Sequence, residues 1–324
     1  MKKVLVVVGP TASGKSDLAI RLARLAHGKR FKKLGINGAE IISADSRQVY
    51  RGLDIGSGKI TKREMRGIPH HLLSVANPQK QFTASDYKKL TEETITMIYH
   101  SGKLPIIVGG TGFYIDTLTR GVEFPSVPPN AKLRKKLLAK SAEELFKLLE
   151  KKDPRRAGEI DKHNKVRLIR ALEIVEALGQ VPPTPPPSPS PWQGEGLGRG
   201  EFIFIGLKPD NIDKKIRLRL EKRLTAIIRE ARKLHHPPTG RGLSYKRMYE
   251  LGLEYRYASL YLQKKITKTE MTEQLYTSIR QYAKRQMTYW KRNPNIKWFT
   301  LSKVEGFTPN EYKKIEKYIQ NMLG

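Results

Sequence analysis

The 324-residue chain contains no cysteine. That excludes disulfides and any zinc or iron–sulfur centre held by thiolates. It also has no stretch approaching ~20 apolar residues, so no helix is expected to span a membrane. Met1-Lys2-Lys3 and the apolar run Val4–Val8 superficially resemble the start of a secretory signal. The run stops at Gly9-Pro10, too early for a signal's apolar region, and a soluble cytoplasmic protein is expected. Acidic residues are scarce beside basic ones: 31 Asp and Glu stand against 62 Lys and Arg, a formal net charge of +31. Solubility does not require such an excess. It favours a polyanionic partner, nucleic acid or an anionic surface, although a generally basic proteome would leave the same mark. Hydrophobic residues make up 38% of the chain, enough for a packed core and against global disorder.

The first 120 residues alternate between strand and helix patterns. Val4–Val8 is a continuous β-branched and apolar run, as in a strand buried on both faces. Lys15–Leu25 has helical spacing at Leu18, Leu22 and Leu25. Glu40–Ala44 reads as a second strand, Ser85–His100 as a helix, and Leu104–Val108 as a further buried strand. The β-α-β-α-β order predicts a parallel sheet with crossover helices. Pro125, Pro128 and Pro129 then mark a boundary. Beyond it the charged segments Ala131–Lys140, Ala142–Lys151 and Asn164–Leu178 predict a helical insertion over 125–181. Residues 182–200 hold seven prolines and four glycines in 19 positions and read as a linker or loop expansion. Phe202–Leu207 looks like a returning strand, and residues 201–324 continue the core, mostly as basic helices around Lys214–Leu234 and Glu270–Lys291. The α/β core thus comprises residues 1–124 and 201–324.

Gly9-Pro10-Thr11-Ala12-Ser13-Gly14-Lys15-Ser16 fits G-x-x-x-x-G-K-[ST], placed after a buried strand and at the opening of a helix. The mechanism of the motif demands that placement. Glycines let backbone N–H groups curl around a diphosphate, the helix N-terminus adds a positive dipole, Lys15 meets the distal phosphate, and the Ser16 hydroxyl is suited to Mg²⁺. A nucleotide hydrolase also needs an acid at the end of an apolar strand to hold that ion. Leu104–Val108 ends instead in Gly109-Gly110-Thr111-Gly112, whereas Glu40–Ala44 ends in Asp45. The cradled diphosphate is therefore either part of ATP, as in a small-molecule kinase, or a leaving group. An RNA-binding protein with a vestigial loop is a further alternative. His70-His71 could suggest a metal, but without a second cluster at metal spacing they read as loop or core histidines.

Six segments, in order and spanning nearly the whole chain, resemble the tRNA dimethylallyltransferase family. They are the phosphate loop; Ile41–Gly56 (IISADSRQVYRGLDIG); Pro69-His70-His71-Leu72; Val108–Gly112; Asn164 with Arg167–Glu173; and Arg280–Gln286 (RQYAKRQ). The family usually has Gly-Tyr-Lys near Tyr245, where this chain reads Gly242-Leu243-Ser244-Tyr245-Lys246. The resemblance implies a P-loop NTPase-like α/β fold with a helical insertion. It also implies transfer of a dimethylallyl group from dimethylallyl diphosphate to the N6 amine of the adenosine 3′ of the anticodon, in tRNAs reading codons that begin with U. Mg²⁺ is the expected cofactor, the tRNA anticodon stem-loop the expected partner, and a monomer the expected state.

Such a transfer stabilises a departing diphosphate, removes a proton from an amine and keeps water from an allylic carbon. Gly9 to Ser16 with Lys15 suit the first task. Asp45, at the end of a strand that should neighbour the first, suits the second, and the resemblance makes it the proposed base; a helix cap or a magnesium anchor are its alternatives. Thr111 follows two glycines at another strand end, and the resemblance places it between amine and diphosphate. Arg223 resembles the family's arginine that helps to hold the diphosphate. The resemblance further implies tRNA contacts at Asp45, Ser46, Arg47, Gln48, Thr111, Arg134, Val166, Arg167, Arg170, Arg241, Tyr245, Lys246, Arg280, Lys284 and Arg285. Arg167 and Arg170, and likewise Arg280 and Lys284, are spaced to share a helix face.

Overall fold

The apolar run after Met1 forms strand β1 (Lys2–Val8) because both faces of the run find cover. Val4, Val6 and Val8 enter one hydrophobic cluster, while Leu5 and Val7 enter the cluster on the opposite face. A strand buried in this way shows no polar alternation. The computed structural model describes residues 2–122, 124–183, 192–194, 198–238, 240, 242–304 and 306–324. The chain divides into two units, Met1–Gly121 with Pro189–Gly324, and Val122–Ser188.

In the first unit, β1 is followed by α1 (Lys15–Leu25), α2 (Lys29–Lys33), β2 (Ala39–Ser43), α3 (Lys62–Met65), β3 (His70–His71), α4 (Ala84–His100), β4 (Leu104–Val108) and α5 (Gly112–Thr119). The second unit contributes α6 (Ala131–Leu138), α7 (Ala142–Lys152), α8 (Pro154–Glu159) and α9 (Lys165–Leu178). The chain then returns as β5 (Trp192–Gly194), β6 (Gly198–Pro209), α10 (Ile212–His235), α11 (Tyr245–Leu251), α12 (Leu253–Leu262), α13 (Lys268–Trp290), β7 (Ile296–Leu301) and α14 (Pro309–Leu323). Among the described residues no helix is long and apolar enough to cross a membrane.

Six strands run parallel, β3-β2-β4-β1-β6 with β7 beside β6, and β5 pairs antiparallel with the start of β6. Helices cover both faces. On one, α1 packs Leu18, Ile20 and Leu22, and α14 packs Ile315, Ile319 and Leu323. On the other lie Tyr87, Ile95 and Ile98 of α4, Ile216, Leu220 and Leu224 of α10, and Ile279 and Trp290 of α13. Each such buried aliphatic contributes roughly 1.5–3 kcal/mol relative to exposure, so the sheet is anchored from both sides.

Two elements depart from the sequence reading. Ile296–Leu301 falls in the stretch read as mostly helical, yet forms a parallel strand with Phe204 opposite Ile296. Only its end residues are buried, so it carries little alternation. Gly206 of β6 makes room for it, since a Cβ there would lie 2.5 Å from the Trp298 ring. The segment read as a linker over 182–200 contains β5 and the beginning of β6, which pair Trp192 with Gly200; residues 184–191 and 195–197 lie outside the described residues.

The second unit's described elements are all helices. Their starts are locally encoded: Asn130, Ser141, Asp153 and Asn164 each accept a backbone N–H of the helix they precede, a pattern worth ~1 kcal/mol per cap. Leu145, Leu149, Leu168 and Leu172 form its core.

Candidate active site

Register places three strand ends side by side. Val7 of β1 lies opposite Val108 of β4, and Val108 lies opposite Ser43 of β2. The loops that follow, starting at Gly9, Ala44 and Gly109, therefore emerge together at the carboxyl edge, where open α/β sheets place ligands. Backbone bonds join them: Ala44 N–H donates to the Val108 carbonyl at 2.8 Å, and Thr111 N–H to the Ala44 carbonyl at 3.2 Å. A Cβ at Gly109 would sit 2.1 Å from the Ala44 oxygen, so only glycine allows this approach.

The loops enclose a cavity of about 340 Å³ lined by Thr11 to Asp17, Asp45, Gln48, Ser57, Gly58, Glu64, Arg66, Gly109, Gly110, Arg219, Tyr282 and Gln286, with Ile20, Ile60 and Val108 as apolar wall. Gly9 and Pro10 form the approach to the phosphate loop; Gly9 has a φ of 146°, and a Cβ on it would strike the Leu207 carbonyl at 2.7 Å. Gly14 sits in the left-handed region and starts α1. The Lys15 ammonium donates to the Pro10 carbonyl at 2.6 Å and to Ser13 Oγ at 3.5 Å. Burial brings its pKa down to about 7, against the opposing pull of Asp45, and Arg219 lowers it further. A cation held so uncomfortably is prepared for an anion.

The oxygen donors on the lining, Ser16 with Asp17, Asp45 and Glu64, are hard ligands of the kind Mg²⁺ takes. No cluster of three or more His, Cys, Asp or Glu able to hold a metal occurs among the described residues. The set therefore fits an ion that shares its shell with phosphate oxygens and water, and does not fit a protein-only cage.

Asp45 Oδ1 accepts the N–H groups of Arg47 at 2.8 Å and Gln48 at 3.3 Å. The carboxylate thus pins its own turn, which leads into no helix, while the residue also lines the cavity. Thr111 precedes α5 without capping it through its side chain. Its hydroxyl instead accepts the Ser46 N–H at 3.0 Å and bonds the Tyr282 hydroxyl, which burial, then Asp45, pushes up beyond the ordinary phenol range. Gln286 of α13 closes the Arg280–Gln286 segment. Its Oε1 accepts the Thr11 N–H at 2.8 Å and its Nε2 donates to the Gly110 carbonyl at 2.9 Å. One buried amide thereby ties the phosphate loop to the β4 loop.

Of the α10 arginines it is Arg219 that lines the cavity, together with Arg66 before the sheet's edge strand, and Arg223 lies one helical turn beyond Arg219. Arg223 packs beside it and donates to the Gly56 carbonyl at 3.2 Å. Ser46 and Arg47 occupy the β2 loop, with Arg47 donating to the Ser46 carbonyl, and Gln48 Nε2 reaches the Gly58 carbonyl at 3.4 Å.

The remaining expected tRNA contacts fall in different settings. In the second unit, Val166 and Arg167 are exposed. Arg134 forks onto the buried Glu173 with two 2.7 Å bonds, and Arg170 binds Glu173 at 3.4 Å and the Val127 carbonyl at 2.9 Å. Arg134 and Arg170 are thus engaged internally, and Arg167 and Arg170 do not form a common exposed pair. In the first unit, Lys284 and Arg285 are exposed along a groove with Gln281, Thr288, Tyr289 and Arg292. Arg280 pairs with Asp213 at 2.8 Å, Tyr245 stacks on His235 with centroids 3.8 Å apart, and Lys246 is exposed. Arg241 lies outside the described residues. His71 bonds Glu40 at 2.6 Å, which Lys103 also contacts, so this histidine has a structural partner.

The family model described as IPP transferase matches residues 48–293. The chain belongs to the IPP transferase family. It is 34% identical to the tRNA dimethylallyltransferase of Geobacillus kaustophilus, covering 99% of this chain and 98% of that one. It is 38% identical to tRNA dimethylallyltransferase 1 of Syntrophus aciditrophicus over 90% of each. Among solved structures, the full-length tRNA isopentenylpyrophosphate transferase of Bacillus halodurans superposes with a TM-score of 0.68 at 31% identity, covering 100% of this chain and 97% of the other. A eukaryotic dimethylallyltransferase acting on tRNA shares the fold at a TM-score of 0.76 and 23% identity, with 99% and 80% covered.

Proposed function

We propose that this IPP transferase moves a dimethylallyl group from dimethylallyl diphosphate to N6 of the adenosine 3′ of the anticodon, in tRNAs reading codons that begin with U. The observation that carries the reading is one cavity lined by the phosphate loop, Asp45 and Gly109-Gly110 at three adjacent strand ends, with Thr111 alongside, in a chain of this family. The bond between the allylic carbon and the diphosphate oxygen breaks, and the diphosphate leaves with the electron pair. The phosphate loop, Lys15 and Arg219 stabilise the charge that collects there, in a site already organised to do so. The N6 nitrogen forms the new bond to carbon and gives up a proton, which Asp45 accepts; general base help of this kind is worth about 10²–10⁴ in rate. The Thr111 hydroxyl holds the β2 loop that carries Asp45. Ile20, Ile60 and Val108 offer apolar surface to the hydrocarbon and exclude water. Mg²⁺, held by the Ser16 hydroxyl with a nearby carboxylate, would supply further charge on the diphosphate. The adenine is extruded from its loop to reach the site, at a few kcal/mol, and the exposed Lys284, Arg285 and Arg167 suit the tRNA backbone.

Mass spectrometry of tRNA nucleosides from cells with and without the gene, together with transfer by the purified protein, tests the reading. N6-dimethylallyladenosine should appear only with the gene and only when dimethylallyl diphosphate is supplied. Its absence, or tighter binding of ATP than of dimethylallyl diphosphate with phosphoryl transfer to a small molecule, would overturn it.

A further inference from the structure

We propose that Glu230, backed by Tyr255, is a positioning residue for the donor: it fixes the 54–58 loop and, through it, Arg219 on the cavity wall and the neighbouring Arg223. This rests on the proposed transfer reaction.

The loop Asp54-Ile55-Gly56-Ser57-Gly58 belongs to no helix or strand, yet Ser57 and Gly58 line the cavity. Its N–H groups converge on one carboxylate. Asp54 and Ile55 donate to Glu230 Oε2 at 3.1 and 2.6 Å, and Gly56 donates to Oε1 at 2.9 Å. The Tyr255 hydroxyl donates to Glu230 Oε1 at 2.8 Å and accepts the Ser57 N–H at 3.2 Å. Four successive amides therefore end on a carboxylate–phenol pair. Successive N–H groups of this kind form an anion nest, here filled by the protein's own side chain.

The carbonyls of the same loop face the arginines. Arg223 donates to Gly56 O at 3.2 Å and Arg219 to Gly58 O at 3.4 Å. Positions 219, 223 and 230 share one stripe of α10, so helix and loop are joined from both sides of the loop's peptide groups. The fit leaves no room: a Cβ at Gly58, whose φ is +64°, would lie 2.3 Å from Arg219, and one at Gly56 would lie 2.5 Å from the Tyr255 ring. A guanidinium has five N–H donors, so a single carbonyl contact orients each arginine while leaving donors for an arriving diphosphate. Glu230 itself does not line the cavity; it acts through the loop.

Glu230→Gln replaces one acceptor oxygen with an NH₂ that opposes the loop amides. The expected result is a KM for dimethylallyl diphosphate raised roughly tenfold, a smaller change in kcat, an unchanged KM for tRNA, and faster hydrogen exchange at amides 54–57. Tyr255→Phe should move the same quantities less, and carries the test if Glu230→Gln fails to fold. Inorganic pyrophosphate affinity, measured without tRNA, should weaken in parallel. A folded Glu230→Gln protein with wild-type donor KM and pyrophosphate affinity, even one that melts lower, overturns the inference, as does an equal rise in the tRNA KM. Absence of transfer by the wild-type protein would instead refute the proposed reaction, and the pyrophosphate measurement would still decide the role of Glu230.

Discussion

Replacing Lys15 with methionine should make the empty protein more stable and the liganded protein less so. The ammonium donates to the Pro10 carbonyl at 2.6 Å, while burial takes its pKa from 10.5 to about 7. At ~1.4 kcal/mol per pKa unit, that gap sets a ceiling of about 5 kcal/mol on the cost of holding the lysine charged in the fold. The sign follows from proton counting. Between pH 7 and 10.5 the unfolded chain binds more protons than the folded one, so stability rises with pH across that window, and the cost is complete below pH 7. Loop relaxation recovers much of it, and Lys15→Met should gain on the order of 1–2 kcal/mol at pH 6.5, with a smaller gain at pH 8.5. Diphosphate reverses the balance, because an anion favours the protonated lysine. Wild-type protein should take up protons on binding pyrophosphate near pH 8, and bind it less tightly as pH rises above 7. At a ligand concentration of 100 Kd the wild-type protein gains about 2.7 kcal/mol; the variant at that concentration should gain far less. Thermal melts at pH 6.5 and 8.5, with and without pyrophosphate, and calorimetry in buffers of different ionisation enthalpy provide the measurements. A variant that melts lower when empty and keeps the full pyrophosphate-induced rise would refute the reasoning.

Asp45→Asn retains an acceptor for the Arg47 and Gln48 amides, so its melting temperature should hold while single-turnover transfer falls by roughly 10²-fold or more; partial rescue by added Mg²⁺ would show a metal anchor instead. Gln286→Leu leaves the Thr11 N–H and Gly110 carbonyl without their partner and should cost about 2–4 kcal/mol in melts, with weaker donor binding by titration. Arg134→Ala strips the fork from Glu173, whose burial pushes its pKa up but whose bonds to Arg134 and Asn130 hold it below the ordinary value. The loss should be about 3 kcal/mol at pH 7 and shrink toward acid, where the carboxyl, left with only the Asn130 amide and Arg170, protonates; chemical denaturation at pH 7 and 4.5 reads this. Arg167→Ala should flatten the salt dependence of tRNA binding by about one phosphate contact in filter binding across a salt series, with no change in stability.

Local order was written in local residues. The leucine spacing after Gly14 predicts Lys15–Leu25, and that is α1. The bare apolar runs Val4–Val8 and Leu104–Val108 predict strands with both faces covered, and β1 and β4 have such cover. The turn of Gly9–Ser16 into α1 was legible because glycines, helix start and lysine all lie within eight consecutive residues. Three charged segments beyond Pro129 predict helices, and α6, α7 and α9 form there, whereas the short α8 (Pro154–Glu159) was not read.

What tertiary structure decided was which of many similar groups do which task. On α10, arginines 219 and 223 carry the same charge one turn apart, and only the packing of the helix against the 54–58 loop puts Arg219 on the cavity wall. Arg134 and Arg170 stood among the expected tRNA contacts, and the fold sets both against the buried carboxylate of Glu173. Gln286 reaches Thr11 across 275 positions of sequence and Glu230 reaches Ile55 across 175. Neither contact has a spacing to read, because the strand order β2-β4-β1 and the return of α10 and α13 over the sheet bring those residues together. Periodicity and motifs report what neighbouring residues do for one another; a buried carboxylate, a clamp or a guanidinium aimed at a cavity depends on surfaces that meet only after the chain has folded.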